Sequence, residues 1–168
     1  DITLRLWAQL FEILPSASLV LKAPNTDDHG TQELLCRRMR HQGFDPDRVI
    51  WLPRAPSAIE HLEQYKMVDV VLDCFPNGGC TTTCEALWMG CPVVTFPGVT
   101  FAGRHSTSYM THVGLPNFIA KNRLGYEDLA VAKADDLKSL AAIRKRLRRK
   151  FNDSCVCDGP QFARNFTK

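Results

Sequence analysis

No apolar run in this 168-residue sequence approaches the roughly 18 to 20 residues that a helix needs to cross a bilayer. No basic, apolar, small-residue leader opens it. It starts instead on a helix-like segment, which points to a piece of something longer. There is no internal repeat and no low-complexity tract, so solenoid and disordered classes are set aside. The chain has no G-x-G-x-x-G and no Walker lysine, so the dinucleotide and ATPase fingerprints are missing. Charge of one sign is scarce: the net value of +3 argues against an obligate nucleic-acid binder. Seven cysteines make an odd count, scattered through apolar segments, which is a poor disulfide framework. They read as reduced thiols of a cytoplasmic protein. Cys80 with Cys84, and Cys155 with Cys157, have no second pair at zinc-site spacing, so these are buried or surface thiols rather than a metal site.

What remains is an ordinary globular composition, 45% hydrophobic and 23% charged, of a length that suits one core. Trp7, Leu10, Phe11 and Leu14 recur at helical spacing over residues 3–14, and Pro15 stops them. Residues 18–22 form a short buried strand, and a polar loop runs from 24 to 30. A helix over 31–41 stops at Gly43, and 49–52 is a second strand. Ser57 and Glu60 form a capping box for a helix to about Tyr65. A β-branched third strand spans 68–72, the glycine loop spans 76–79, and a helix spans 81–89. Gly90 closes that helix and 92–96 is a fourth strand. Two or three helices follow from 104 to 151, the last burying Leu137, Leu140, Leu147 and Phe151. Alternating strands and helices of this kind imply an α/β domain with a parallel sheet and helices on both faces. Residues 1–151 form this lobe, and 152–168 are a tail that returns across it or towards a missing partner lobe.

The stretch that carries chemistry is 66–90, KMVDVVLDCFPNGGCTTTCEALWMG. A buried strand ends at Asp73, a glycine-containing loop follows, and a helix opens on Thr81, Thr82 and Thr83. Ligands of open α/β sheets bind beyond the carboxyl ends of the strands. A helix N-terminus there offers backbone N–H groups and a positive dipole end to an anion such as a diphosphate. Gly78 and Gly79 let the backbone approach closely. The Thr81 and Thr82 hydroxyls add donors. Glu85, one turn on, could accept from a ribose diol. The alternative is that the threonines only cap a helix and Glu85 is a solvated acid.

The runs VDVVLDCFPNGGCTTTCEALWMGCPVVTFPG, EHLEQYKMVD and AGRHSTSYMTHVGLPNFIAKN, with the YEDLA that follows, resemble the C-terminal lobe of protein O-GlcNAc transferases and of SPINDLY, the plant protein O-fucosyltransferase. The resemblance covers nearly the whole chain. It implies a Rossmann-like lobe of a GT-B glycosyltransferase that binds a nucleotide sugar, UDP-GlcNAc or GDP-fucose, and needs no metal or other cofactor. No Asp-x-Asp stands at the glycine loop, in keeping with that. By position, Thr81 and Thr82 match threonines on the donor diphosphate, with Gly79 in the loop before them, and Glu85 falls near the ribose. His61 matches a histidine on the helix lining the nucleotide, and Ala55 with Pro56 matches the turn near the base. Cys80 stands where O-GlcNAc transferase has a His beside the diphosphate, and Gln64 replaces an Arg that helps read uracil. Cys84-Glu85 and VCDGPQFA are closer to SPINDLY, Trp88 to O-GlcNAc transferase.

The resemblance further implies transfer of the sugar to Ser or Thr of a protein, with acceptor-side residues, a lysine near the diphosphate and TPR repeats lying before residue 1. No catalytic base is identified in this chain, so the isolated lobe is expected to bind nucleotide weakly and not transfer sugar. A non-catalytic nucleotide-sugar or scaffold module, and a different nucleotide-binding domain such as an epimerase lobe, are the rivals. Membrane and nucleic acid are not expected partners. Asp73 reads as a loop-capping acid. Arg104 reads as a phosphate contact or a surface ion pair. The run RKRLRRK, 144–150, reads as a solvated helix face, and Trp7, Trp51 and Trp88 as core.

Overall fold

The computed structural model describes residues 2–167 and divides the chain into two compact units, Asp1–Met67 and Val68–Lys168. In the first, helix α1 (Ile2–Ile13) buries Leu4, Leu6, Trp7, Ala8, Leu10 and Phe11 along one stripe. The carbonyls that its last turn leaves without helical partners are gathered by one side chain. The Arg48 guanidinium donates to Phe11 O and Ala17 O, each at 2.6 Å, and to Leu14 O, and it lies 4.9 Å from the Phe11 ring centre.

Strand β1 (Leu19–Leu21) pairs in parallel with β2 (Val49–Trp51), Val20 opposite Ile50. Between them runs α2 (His29–His41), which starts two residues before the helix was expected to begin. Asp28 explains the early start: its carboxylate accepts the Thr31 N–H at 2.7 Å as an N-cap. Gly43, at φ 81°, closes α2, with Gly43 N–H on Arg40 O and Phe44 N–H on Met39 O. Helix α3 (Ala58–Glu63) follows the expected Ser57 cap. Ser57 Oγ accepts the Glu60 N–H, and Glu60 replies by accepting the serine hydroxyl at 2.9 Å. The helix is shorter than expected because Gln64–Met67 tighten into a 3-10 turn.

In the second unit β3 (Val71–Leu72) pairs in parallel with β4 (Val93–Val94), and α4 (Thr81–Trp88) connects them. The expected strand 68–72 loses its first half for a physical reason. The Val68 carbonyl is taken by the Arg144 guanidinium and by the Cys91 thiol, so it makes no ladder. Pro92, opposite, has no N–H to donate. A parallel bridge between Thr95 and Ile119 continues the pairing. Helices α5 (His105–His112), α6 (Arg123–Asp135), α7 (Leu137–Asn152) and α8 (Gly159–Phe166) complete the unit. Its core is Ala86, Leu87, Cys91, Val93, Val94, Met110, Phe118, Tyr126 and Leu147.

The parallel α/β character was legible, but the strands are two short pairs, one in each unit. Gly90, at φ 84°, closes α4 as expected, and a Cβ there would stand 2.9 Å from Arg144 O. Three readings need correction. Leu137 is 60% exposed: it is the first residue of α7, and the buried stripe begins a turn later at Leu140. Trp88 is partly exposed, its ring covered by the Arg148 guanidinium 5.1 Å from the centroid. The basic run is not wholly a solvated face. Arg144, half-buried, reaches the Val68 carbonyl and the Cys91 sulfur, and Arg148, though exposed, donates to Trp88 O at 2.7 Å, while Lys145, Arg146, Arg149 and Lys150 are exposed. Residues 159–166, expected only as part of a tail, form a helix whose Phe162 and Phe166 stack at 5.9 Å.

Replacing Arg48 with Met keeps the stem over Phe11 and removes the donors from three carbonyls. Arg48→Met should cost about 2–4 kcal/mol of stability, with loss of charged hydrogen bonds as the cause. Urea unfolding followed by circular dichroism measures it, and a loss below about 0.5 kcal/mol would contradict this role.

Candidate functional site

The site of the second unit is built on a buried carboxylate. Asp73 follows β3 and is 5% exposed. Its Oδ1 accepts the Gly79 N–H at 2.7 Å and its Oδ2 accepts the Thr95 hydroxyl, also at 2.7 Å. The Ser106 hydroxyl donates to Gly79 O at 3.1 Å and lies 2.9 Å from Thr83 Oγ1. Tyr126 OH donates to the Asp73 carbonyl at 3.1 Å. Phe75 stacks on Phe96 at 4.0 Å between centroids, with Tyr126 edge-on to both. The loop from 73 to 79 is therefore held at both ends and from below. Burial raises the Asp73 pKa above its ordinary 3.8, against the lowering effect of the bonds from Thr95 and Gly79.

The glycines have no room for a side chain. A Cβ on Gly78 would stand 2.8 Å from Asp73 Oδ2, and one on Gly79 would stand 2.4 Å from Thr83 Oγ1 and 2.9 Å from Thr82 Oγ1. This close approach delivers the chain to α4 with Cys80 as N-cap, and Cys80 makes no side-chain capping bond. Thr81 and Thr82 are exposed at that helix start, Glu85 is half-buried one turn on, and Thr83 is buried. The three threonines thus divide: Thr83 is buried and lies against Ser106, and Thr81 and Thr82 are exposed. The N-cap position itself belongs to Cys80, and Thr81 to Thr83 form the first turn of the helix.

Cys80 Sγ lies 3.6 Å from Tyr109 OH, and this contact is the first cause of the raised Tyr109 pKa, ahead of burial. The Arg104 guanidinium donates to Val99 O at 2.9 Å, within its own loop. Ser106, Thr95 and Tyr109 were not legible as site residues, because only folding brings them from 22 or more positions away.

In the first unit, Ala55 and Pro56 lie in the turn between β2 and α3, Ala55 half-buried and Pro56 exposed. His61, on α3, stands edge-on to Tyr65 at 5.9 Å. Its Nδ1 is 2.6 Å from Lys22 Nζ, and Lys22 also donates to Gln64 Oε1 at 2.5 Å. Lys22 is the first residue after β1, a position the sequence reading passed over. Each unit therefore gathers its candidate residues beyond the carboxyl ends of its own parallel strands, where α/β ligands bind. Among the described residues, no group of three or more His, Cys, Asp or Glu side chains could hold a metal ion. No helix of the described residues is long and apolar enough to cross a membrane.

A family profile, Glycosyl transferase family 41, matches residues 1–166. The tomato protein named probable UDP-N-acetylglucosamine–peptide N-acetylglucosaminyltransferase SPINDLY is 35% identical over 162 residues, 96% of this chain and 17% of its own length. Its Arabidopsis thaliana counterpart is 36% identical over 160 residues, 95% and 18%. The Caenorhabditis elegans UDP-N-acetylglucosamine–peptide N-acetylglucosaminyltransferase is 30% identical over 161 residues. Among solved structures, a mutant of the Thermobaculum terrenum O-GlcNAc transferase superposes with a TM-score of 0.83 at 38% identity, covering 89% of this chain and 28% of that one. The chain thus spans under a fifth of the length of these SPINDLY relatives.

Asp73→Ala would leave the Gly79 N–H and Thr95 hydroxyl without their acceptor, at a cost of about 2–4 kcal/mol. The pH dependence has a definite sign. A carboxyl whose folded pKa is raised binds more protons folded than unfolded, so its contribution is fully present below 3.8 and is lost as pH rises through the folded value. Asp73→Asn should flatten the stability profile over that window. Thermal melts from pH 3 upward test this, and identical slopes in wild type and variant would count against it.

Proposed function

The chain belongs to glycosyl transferase family 41, and we propose from this premise that it is the donor-binding part of a protein O-glycosyltransferase. The donor is a nucleotide sugar, UDP-GlcNAc or GDP-fucose, and the acceptor is a Ser or Thr hydroxyl of a protein. The observation that carries the reading is the pair Thr81 and Thr82, exposed at the start of a helix whose N-cap makes no side-chain capping bond, behind a loop that Asp73 holds.

In the transfer, the acceptor hydroxyl oxygen bonds to the anomeric carbon and gives its proton to water or to a base outside this chain, and the bond from that carbon to the diphosphate oxygen breaks. The nucleoside diphosphate leaves with the negative charge. Backbone N–H groups at the start of α4 and the two threonine hydroxyls stabilise that charge as it develops, without rearranging, because the loop is already fixed. Glu85, one turn along, accepts from the ribose hydroxyls. His61, Ala55 and Pro56 serve the nucleoside end. A Cys80 thiol offers no cation to the diphosphate, so the burden falls on the helix and the threonines. The chemistry needs no metal or other cofactor, the enzyme works in the cytoplasm, and the acceptor protein is engaged by parts of the polypeptide outside this chain.

Calorimetric titration of the chain with UDP, GDP and NAD tests the reading. Binding of UDP or GDP but not NAD is expected. Thr81→Val with Thr82→Val should weaken it by about tenfold to a hundredfold, the loss of about 1.4 to 2.8 kcal/mol of hydrogen bonding to phosphate. Retained affinity in the double variant would remove Thr81 and Thr82 from the site, and binding of NAD alone would favour another nucleotide-binding class. A second outcome concerns turnover. The 168-residue chain given a nucleotide sugar and an acceptor peptide should transfer nothing measurable, and sustained release of nucleoside diphosphate with peptide modification would show that the chain is catalytically complete.

A further inference from the structure

Two of the seven cysteines stand one helical turn apart at the start of α4, in the order Cys80, Thr81, Thr82, Thr83, Cys84. Both thiols are free. Tyr109, brought in by α5, joins them: its hydroxyl lies 3.6 Å from Cys80 Sγ and also bonds the Cys84 side chain. The two sulfurs are thus gathered on one hydroxyl. They differ in access, Cys80 being exposed and Cys84 half-buried. Burial, and after it the neighbouring Cys80, raise the Cys84 pKa, and the Tyr109 hydrogen bond pulls it back. Cys80 sits at φ −116° and ψ −88°, outside helical values, and makes no side-chain capping bond. Its carbonyl accepts the Cys84 N–H at 3.2 Å, which closes the first turn of the helix.

We propose that Cys80 and Cys84 are a peroxide-sensitive thiol pair whose disulfide forms by opening the first turn of α4, and, resting on the donor-binding reading above, that this switches off the diphosphate end of the site. The exposed Cys80 sulfur attacks hydrogen peroxide, the O–O bond breaks, and a sulfenic acid and one water result. The Cys84 sulfur then attacks the Cys80 sulfur, the S–O bond breaks, and a second water leaves with the Cys84 proton. Two thiols are oxidised and one peroxide is reduced to two waters. Side chains four apart on a helix hold their Cβ atoms about 5–6 Å from one another, and a disulfide brings them to about 3.8 Å. The bond therefore cannot close on the intact turn. Cys80, already outside helical values, moves towards Cys84, and the Cys84 N–H parts from Cys80 O. Thr81 and Thr82 lie inside the closed ring, so their N–H groups and hydroxyls lose the common aim that a phosphate requires. A disulfide strained in this way is readily reduced, which makes the change reversible.

Differential alkylation of the 168-residue chain tests the pairing. After treatment with hydrogen peroxide, free thiols are blocked with N-ethylmaleimide, the sample is reduced, and the newly freed thiols are labelled with iodoacetamide and located by tandem mass spectrometry. Cys80 and Cys84 should take the second label together. In 15N spectra the amides of 79–84 should shift while the dispersion of the rest is retained. Affinity for UDP or GDP, whichever the reduced chain binds, should fall about tenfold on oxidation, the weight of one or two hydrogen bonds to phosphate, and return with dithiothreitol. Cys84→Ser should keep its affinity through the same treatment, and a loss there too would trace the effect to Cys80 alone and overturn the disulfide. A bond from Cys84 to Cys157, the next thiol near it, overturns the proposal. So does the absence of the second label from the pair, or a Cys80–Cys84 disulfide that leaves the helix-start amides or the affinity unchanged. If the reduced chain takes no nucleoside diphosphate at all, the donor-binding reading falls instead, and the labels and amide shifts still decide whether the pair closes.

Discussion

A carboxylate taken out of water must find donors, and in this chain that requirement shapes the loop on which the candidate site depends. Asp73 is buried at the end of a two-residue strand, where it accepts from Gly79 N–H and from Thr95. The five residues between Asp73 and Gly79 are thereby drawn into one closed turn. Gly79 cannot carry a Cβ because Thr82 and Thr83 close over it, and Thr83 in turn reaches Ser106. The raised pKa of Asp73 marks the cost of this arrangement: part of the electrostatic stability is given up to hold the backbone at the start of α4 in one conformation.

A rigid loop matters because an oxyanion gains from dipoles that are already aimed. The helix start has its N–H groups and two threonine hydroxyls on a frame tied down by Asp73, Ser106 and Tyr126. In the first unit a cation, Lys22, lies against His61 Nδ1 and Gln64 Oε1. The second unit uses buried negative charge to fix backbone donors, and the first gathers neutral polar side chains round a positive charge. Both arrangements sit past the carboxyl ends of a parallel strand pair, the place where strand and helix termini leave backbone groups unpaired.

Much of this was legible in the residues. The stops at Gly43 and Gly90 were readable because only a residue without Cβ sits comfortably at φ near 80°. The Ser57 cap was readable because its bond is local. Thr81, Thr82 and Glu85 were readable because their spacing on a helix start is itself the geometry. Strand lengths were not: whether Val68 joins a ladder depends on Arg144, 76 residues away, which takes its carbonyl. Trp88 was misread as core because its cover is a cation from another helix.

The sequence by itself determined the order of strands and helices, the position of the glycine loop and the threonine-rich helix start, since each rests on period, caps and turns that act over three or four residues. Asp73 as the acid that caps its own loop was legible too, and only the tertiary structure decided that Thr95 joins Gly79 on its carboxylate, that Thr83 is an anchor while Thr81 and Thr82 are exposed, and that Lys22 meets His61 and Gln64. Those outcomes depend on contacts between residues 6 to 42 positions apart. Burial and hydrogen-bond partners at such separations are set by packing, and no local pattern encodes them.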